Sequence, residues 1–188
     1  VLQNFFGTMV GRWNTFSQNL TAKFMIMGAI MYLFGCFQGS TEALRSIQQP
    51  THFTDFVISH SHLTVFGTFV IWAIGGLVYT WPKLYGRELH SLKLAELHFW
   101  LATVGIVLYI TALWAAGIMQ GLMWRAVNPD GTLTYSFIES VAAMRPYYVV
   151  RLLGGLTYFS GMCLMVYNLW RTVRGARTAE MPVPALAH

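Results

Sequence analysis

Long apolar stretches separated by short polar segments dominate the chain. Residues 22–39, 52–81, 92–124 and 147–170 are each long and apolar enough to predict a membrane-spanning helix, which needs about 20 such residues. No stretch alternates strictly between polar and apolar positions, as a half-buried strand would. The pattern therefore predicts an all-α, polytopic transmembrane helical bundle with four spanning helices.

The polar segments set the boundaries of a single four-helix region over residues 22–174. Residues 1–21 are predicted to be a cytoplasmic loop, and residues 175–188 a cytoplasmic tail. Pro82 follows the second stretch directly, where it favours the end of a helix. Between the third and fourth stretches, Asn128-Pro129-Asp130-Gly131 predicts a turn.

Composition supports a membrane environment and excludes other classes. Hydrophobic residues make up 55% of the 188 residues and charged residues only 10%, and the mean hydropathy is +0.50. Soluble domains have about 25% charged residues. These values exclude an ordinary soluble enzyme and a disordered chain. The net charge of +5 is spread over loops and helix ends, so the lipid bilayer is the expected partner and nucleic acid is not.

Lys and Arg are distributed unequally between the two ends of the predicted helices. Eight fall on one side and four on the other, which places both termini in the cytoplasm by the positive-inside rule. The larger set is Arg12, Lys23, Lys83, Arg87, Lys93, Arg171, Arg174 and Arg177, and the smaller set is Arg45, Arg125, Arg145 and Arg151.

Two histidines lie within the apolar second stretch, in the run Ser59-His60-Ser61-His62. Ionisable residues inside a membrane are costly and indicate a functional site. Residues two apart on a helix point about 200° from each other, so His60 and His62 cannot ligate the same small metal ion. Two haems flanking the helix would fit, because each haem iron takes an axial imidazole. The alternative is that both rings bond only to neighbouring helices.

Further polar residues are placed near the outer end of the same helix. His52 is about 12 Å above His60 if both lie on one helix, and Asp55 lies between them. Arg125 and Arg151 are expected at the same level, where a guanidinium can hold a haem propionate. The alternative is an ordinary interfacial helix start with snorkelling arginines. His98 is expected to contact Glu96 at the opposite interface.

Several strings of the sequence resemble one known family. Residues 51–67, THFTDFVISHSHLTVFG, resemble the haem-ligating helix of haem–copper oxygen reductases. Residues 117–132, GIMQGLMWRAVNPDGT, closely resemble the catalytic subunit I of cbb(3)-type cytochrome c oxidases, as do LHFW at 97–100 and RLLGG at 151–155. The resemblance extends from residue 5 to about residue 174. It implies the last four helices of a fold with about twelve.

The resemblance implies roles for individual residues. It makes His60 the axial ligand of a high-spin haem b, where oxygen binds and is reduced, and His62 an axial ligand of a low-spin haem b. It places His52, Asp55 and Arg125 in the haem propionate region. The implied activity is that of a terminal oxidase, which reduces oxygen to water with four electrons and couples the reaction to proton pumping.

Two features depart from the family pattern. The family has Phe-Glu-Gly one helix earlier, whereas this chain has Phe37-Gln38-Gly39, so Gln38 is a candidate contact of His60 that would raise the haem potential. Glu42 is one turn away and is a candidate substitute for the missing acid. The copper (CuB) ligands and the second axial histidine are expected on a missing N-terminal half or a partner chain, which makes the sequence a fragment or one half of a split subunit.

The resemblance also implies partners and a location. These are the rest of subunit I, membrane-anchored c-type cytochrome subunits, and a bacterial inner membrane. Two alternatives share the His60 and His62 pair. One is a catalytic subunit of the nitric oxide reductase type, in which non-haem iron replaces copper, and the other is a non-catalytic haem-binding or assembly subunit.

Overall fold

Eight α-helices and one π-helical segment form within residues 1–175, which are the residues that a computed structural model describes. In chain order they are α1 (Leu2–Met9), α2 (Thr15–Gln18), α3 (Leu20–Glu42), α4 (Arg45–Thr51), α5 (Asp55–His62), the π segment (Leu63–Val70), α6 (Ile71–Tyr85), α7 (Leu92–Arg125) and α8 (Phe137–Arg174). Within this range the strand-like pairing is a single bridge, Val127–Leu133. The prediction of an all-α fold is confirmed.

Four continuous helical stretches are long and apolar enough to cross a membrane. They are α3 with 23 residues, α5 to α6 through the π segment with 31, α7 with 34 and α8 with 38. The prediction of four spanning helices is therefore confirmed, and the chain is a multi-pass membrane protein. The predicted tail lies outside the described residues except for Gly175, as does Arg177.

Side-chain caps fix where the long helices begin. Asn19 accepts a hydrogen bond from the backbone N–H of Ala22 at the start of α3, and Ser91 accepts one from Leu94 at the start of α7. Ser136 and Glu139 form a reciprocal capping box that starts α8 at Phe137, well before the predicted residue 147. The structure extends α8 because this box satisfies the first backbone N–H groups on the polar side of the apolar stretch.

The second spanning helix has a sharp break before it. His52 is the C-terminal cap of α4, Phe53 has a left-handed backbone with φ 63°, and Thr54 caps α5 by accepting from the N–H of Phe56. The expectation that His52 lies on the same helix as His60 is wrong. The reason is that Thr54 and Asp55 together form a helix start, with the acidic residue in the first turn.

Helix α7 is the central element of the bundle. It packs against α5 on one side and runs antiparallel to α8 on the other, and half of its apolar window is buried compared with 17% for α8. The α7–α8 crossing is close at Gly105 and Gly154, since a Cβ on Gly105 would lie 2.8 Å from the carbonyl oxygen of Gly154. Two glycines at one crossing let the backbones approach, as is common between membrane helices.

The core lies between α3, the second spanning helix, α7 and α8. Phe24 of α3, Ile71 of α6 and Phe99 of α7 are completely buried in its larger cluster. Leu63, the first residue of the π segment, is buried with Met31 and Ile110 in the smaller cluster. The π segment thus lies against the core immediately after His62, which holds the histidine-bearing helix in place.

Candidate functional site

His60 and His62 face different neighbouring helices. The His60 ring packs against Gly39 of α3, where an added Cβ would lie 3.1 Å from Cε1 of the ring. The His62 ring instead packs against Tyr109 of α7, with 4.9 Å between ring centroids. The two histidines therefore point to opposite sides of α5, which is the relation expected from their spacing of two residues.

The hydrogen bonds of His62 leave one ring nitrogen available. Nδ1 lies 2.9 Å from the carbonyl oxygen of Ile58 and must carry the proton, because a carbonyl can only accept. Nε2 then keeps its lone pair and lies 3.4 Å from the Tyr109 hydroxyl. A backbone carbonyl on Nδ1 is the usual way in which a metal-ligating histidine is oriented.

His62 also lines a cavity of about 210 Å³ between α5, α7 and α8. The other residues around it are Phe66, Ile106, Tyr109, Gly155 and Tyr158. These side chains are mainly apolar and aromatic, and the glycine leaves room beside the Tyr109 ring. A planar apolar cofactor with a metal for Nε2 fits this lining.

His60 has a ring nitrogen without a hydrogen-bond partner among the described residues. Its Nδ1 is buried and has no hydrogen-bond partner within residues 1–175. A buried polar atom without a partner is costly and is uncommon outside functional sites. His60 is therefore also suited to a ligand that the chain itself does not provide.

Gln38 of α3 forms hydrogen bonds to both α5 and α7. It lies beside Ser59, the residue that precedes His60. Its Nε2 lies 2.9 Å from Ser59 Oγ, from the Phe56 carbonyl oxygen and from Oε1 of Glu42. Its Oε1 accepts a 3.0 Å hydrogen bond from Trp114 Nε1 of α7. The structure thus places Gln38 against Ser59, and within the described residues it shows no direct bond to His60 Nδ1.

Three residues of α7 position the start of α5. The Oε1 atom of Gln120 accepts a 2.9 Å hydrogen bond from the backbone N–H of Asp55. A Cβ on Gly117 would collide with the backbone of Phe56, and one on Gly121 would collide with the Pro50 carbonyl. The sequence alone assigned no role to these residues, although the G-x-x-Q-G spacing puts all three on one side of α7.

The residues expected near haem propionates lie at one end of the bundle. The Asp55 side chain is buried, and its Oδ2 has no partner within the described residues. His52 is exposed and its Nδ1 is 2.6 Å from Nε2 of Gln48. With the Gln49 amide oxygen turned toward it, Arg125 donates to that oxygen at 2.7 and 3.2 Å. Asp55 and Arg125 are thus anchored at the ends of α5 and α7.

The remaining candidates have other contacts. Arg151 stacks on the Tyr148 ring, with 4.5 Å to the centroid. The expectation that His98 contacts Glu96 is wrong, because His98 is fully buried and its Nδ1 bonds the Gly161 carbonyl at 2.7 Å. Glu96 pairs with Lys23 and accepts from Trp100. Positions 96 and 98 face different sides of α7.

The rest of the bundle offers no competing metal centre among its described residues. No group of three or more His, Cys, Asp or Glu side chains that could hold a metal ion lies within residues 1–175. In the α7–α8 turn, the Thr132 hydroxyl and backbone N–H both donate to Asp130 and hold the pKa of this carboxyl below its ordinary value. That turn is exposed and lies apart from the two histidines.

The chain is similar to known proteins over most of its length. The family model for cytochrome c and quinol oxidase polypeptide I matches residues 1–157. The cbb3-type cytochrome c oxidase subunit CcoN1 of Stutzerimonas stutzeri is 44% identical over 179 residues, which are 95% of this chain and 38% of the relative. A nitric oxide reductase subunit of the same organism is 22% identical, over 95% of this chain and 38% of that protein.

A solved structure has the same fold. A cryo-EM structure of a heme-copper terminal oxidase dimer matches with a TM-score of 0.69 at 22% identity, covering 86% of this chain and 28% of that chain. The chain therefore spans well under half the length of the proteins it resembles.

Proposed function

Because the chain belongs to the cytochrome c and quinol oxidase polypeptide I family, we propose that it is the C-terminal four-helix part of the catalytic subunit of a cbb3-type cytochrome c oxidase. The observation that carries the proposal is the placement of His60 and His62 on opposite sides of α5, each with an unpaired or weakly paired ring nitrogen. Such a helix can ligate two separate irons.

His62 is proposed as an axial ligand of a low-spin haem b. Its Nδ1 proton is held by the Ile58 carbonyl, which leaves Nε2 as the donor to iron. Tyr109, Phe66 and Tyr158 line the cavity beside it and keep the site apolar. An apolar lining excludes water and so reduces the cost of reorganisation during electron transfer.

His60 is proposed as the axial ligand of the high-spin haem b on the α3 side. Gly39 gives the ring room against α3, and Gln38 fixes Ser59 and the Phe56 carbonyl immediately before it. Through these bonds Gln38 fixes the orientation of the helical turn that carries His60. Glu42, which accepts from Gln38, supplies a negative charge to the same network.

Asp55, Arg125 and His52 are proposed to lie in the propionate region. Arg125 has donors suited to a carboxylate, and it is exposed at the end of α7. The Asp55 carboxyl oxygen that has no partner among the described residues is free to accept a hydrogen bond in that region. His52 is exposed just before the turn that starts α5, where its ring is open to the polar side of the bundle.

Two haems b held by these histidines, with a copper ion (CuB) held by the rest of the subunit, would supply the redox chemistry for four-electron reduction of oxygen to water coupled to proton pumping. The described residues orient the imidazoles, shield them from water and set their electrostatic surroundings. The rest of subunit I and membrane-anchored c-type cytochrome subunits complete the enzyme. We place it in a bacterial inner membrane with both termini in the cytoplasm.

The alternative functions receive less support. The chain is 44% identical to the oxidase subunit and 22% identical to the nitric oxide reductase subunit. A non-catalytic haem-binding or assembly role would require a second, complete subunit I in the same complex.

Metal analysis of the native membrane complex that contains this chain tests the proposal. Two haems b and one copper are expected, in addition to the haem of any c-type subunits. Non-haem iron in place of copper would instead indicate a nitric oxide reductase. A complex that holds a complete subunit I besides this chain, and no more haem b than that subunit binds, would indicate the assembly role.

A further inference from the structure

Five basic side chains lie at one end of the bundle, at the end opposite to Arg125. They belong to the last turn of α6, the following loop, the first turn of α7 and the last turns of α8, and they are Lys83, Arg87, Lys93, Arg171 and Arg174. Within residues 1–175 the ion pair is Lys23–Glu96, so no described carboxylate pairs with any of the five. Glu88 lies in the same loop and is exposed.

Hydrogen bonds draw the α6–α7 loop onto the end of α8. The Ser91 N–H donates to Asn168 Oδ1 at 3.0 Å, and Asn168 Nδ2 donates back to the Ser91 carbonyl at 2.9 Å. The His90 N–H donates to the Thr172 hydroxyl at 3.0 Å. Asn168 and Thr172 are buried, so this contact is part of the packed structure.

The same contact brings Arg87 to the last turn of α8. Its Nη1 reaches the Thr172 carbonyl at 3.5 Å, in the last turn of α8, which also carries Arg171 and Arg174. Residues three apart on a helix share a face, so Arg171 and Arg174 belong to one side of α8. Arg87, Arg171 and Arg174 are called the arginine patch below.

Most N–H donors of the Arg87 guanidinium have no acceptor among the described residues. The bond to Thr172 is at the limit of hydrogen-bond length, and its Nε has no acceptor within the described residues. A guanidinium has five N–H donors in a planar fork that matches the oxygens of a phosphate. The protein therefore satisfies little of the bonding capacity of this side chain.

Aromatic rings place the patch at the membrane surface. Arg174 stacks on Trp170 with 4.3 Å to the ring centroid, and Trp170 contacts Tyr167, whose ring lies near His90. Lys83 lies 3.6 Å from the centroid of Tyr79. Trp and Tyr are enriched at the level of lipid headgroups, where long basic side chains also extend to the interface.

We propose that the arginine patch binds the phosphate group of an anionic phospholipid. A phosphodiester supplies the oxygens for the guanidinium groups, and the acyl chains would lie along the exposed apolar side of α8. The negative charge distinguishes this lipid from a zwitterionic one, since the patch has no paired carboxylate among the described residues.

Lipid retention by the purified complex tests the proposal. The complex containing this chain is exchanged into detergent with either phosphatidylglycerol or phosphatidylcholine, washed, and its bound lipid is counted by mass spectrometry. The variant R87Q/R171Q/R174Q should retain phosphatidylglycerol at least about tenfold less well than the unchanged complex. The single variant R87Q should show a smaller loss and serves if the triple variant does not assemble.

A matched control separates a site from a general charge effect. The variant R12Q/R45Q/R145Q removes the same number of positive charges elsewhere on the chain, at exposed positions, and should retain phosphatidylglycerol normally. Equal loss in this control, or equal retention of phosphatidylcholine and phosphatidylglycerol by the unchanged complex, would overturn the proposal. Displacement of the lipid by an equal concentration of inorganic phosphate would assign the patch to free phosphate instead.

Discussion

The Gln120 side chain of α7 accepts a hydrogen bond from the backbone N–H of Asp55, the first residue of the helix that carries His60 and His62. This bond satisfies one of the N–H groups that a helix start leaves without an intrahelical partner. On either side of Gln120, Gly117 and Gly121 let the α4–α5 connection contact α7 directly. The position of both histidines therefore depends on α7.

Replacing Gln120 with leucine should destabilise the start of α5. The partly buried Asp55 N–H would lose its acceptor, which should lower the free energy of unfolding by about 1 kcal/mol. We expect a lower thermal midpoint for loss of the haem absorbance of the complex. Gln3→Leu, at an exposed position, is the control and should leave that midpoint unchanged. Equal midpoints for both variants would show that the bond does not hold α5.

Gly121→Ala should damage the same contact more severely. The added methyl group would overlap the Pro50 carbonyl, so α4 would have to move away from α7 at a cost of about 1–3 kcal/mol. Gly76→Ala is a matched control, because a Cβ there meets open space within a helix. The control should be neutral or slightly stabilising. Similar haem content and stability in the two variants would contradict the close approach at Gly121.

Gln38→Glu should lower the midpoint potential of the haem that His60 is proposed to ligate. A carboxylate beside the His60 turn favours the more positive, oxidised iron, and a change of about 60 mV corresponds to a factor of ten in a one-electron equilibrium. Glu42→Gln removes charge from the same network and should shift the potential upward. A redox titration that shows no shift in either variant would exclude this network from tuning the haem.

The Lys23–Glu96 ion pair gives an asymmetric prediction. The Lys23 side chain is 8% exposed and that of Glu96 is 40% exposed. Glu96→Leu leaves a buried ammonium group without its carboxylate and should cost about 3 kcal/mol, whereas Lys23→Met should cost less. In thermal unfolding, the double variant should be more stable than Glu96→Leu alone. A larger loss of stability in Lys23→Met than in Glu96→Leu would show that burial of the ammonium group does not set the cost.

Much of the architecture followed from the sequence because membrane spans depend on local composition. Four apolar stretches predicted four spanning helices, and the two-residue spacing of His60 and His62 predicted that they face different neighbours. Each of these predictions depends only on the residues within one helix and not on the helices that pack against it. The structure confirms both.

Features that depend on contacts between helices did not follow. Phe53 separates His52 from α5 with a left-handed backbone, which a bulky residue rarely adopts and which no local pattern indicates. His98 bonds to Gly161, 63 residues away, rather than to nearby Glu96. The four contacts of Gln38 likewise come from α3, α5 and α7 together, so no local pattern indicates them.

His60 and His62 are proposed to hold different haems on opposite sides of α5. Optical spectra of the intact complex, with and without carbon monoxide, distinguish a haem that binds an external ligand from one that does not. We predict that His60→Ala removes the signal of the carbon monoxide-binding haem and that His62→Ala removes the low-spin signal. Loss of the same single haem in both variants, or of neither, would contradict the claim.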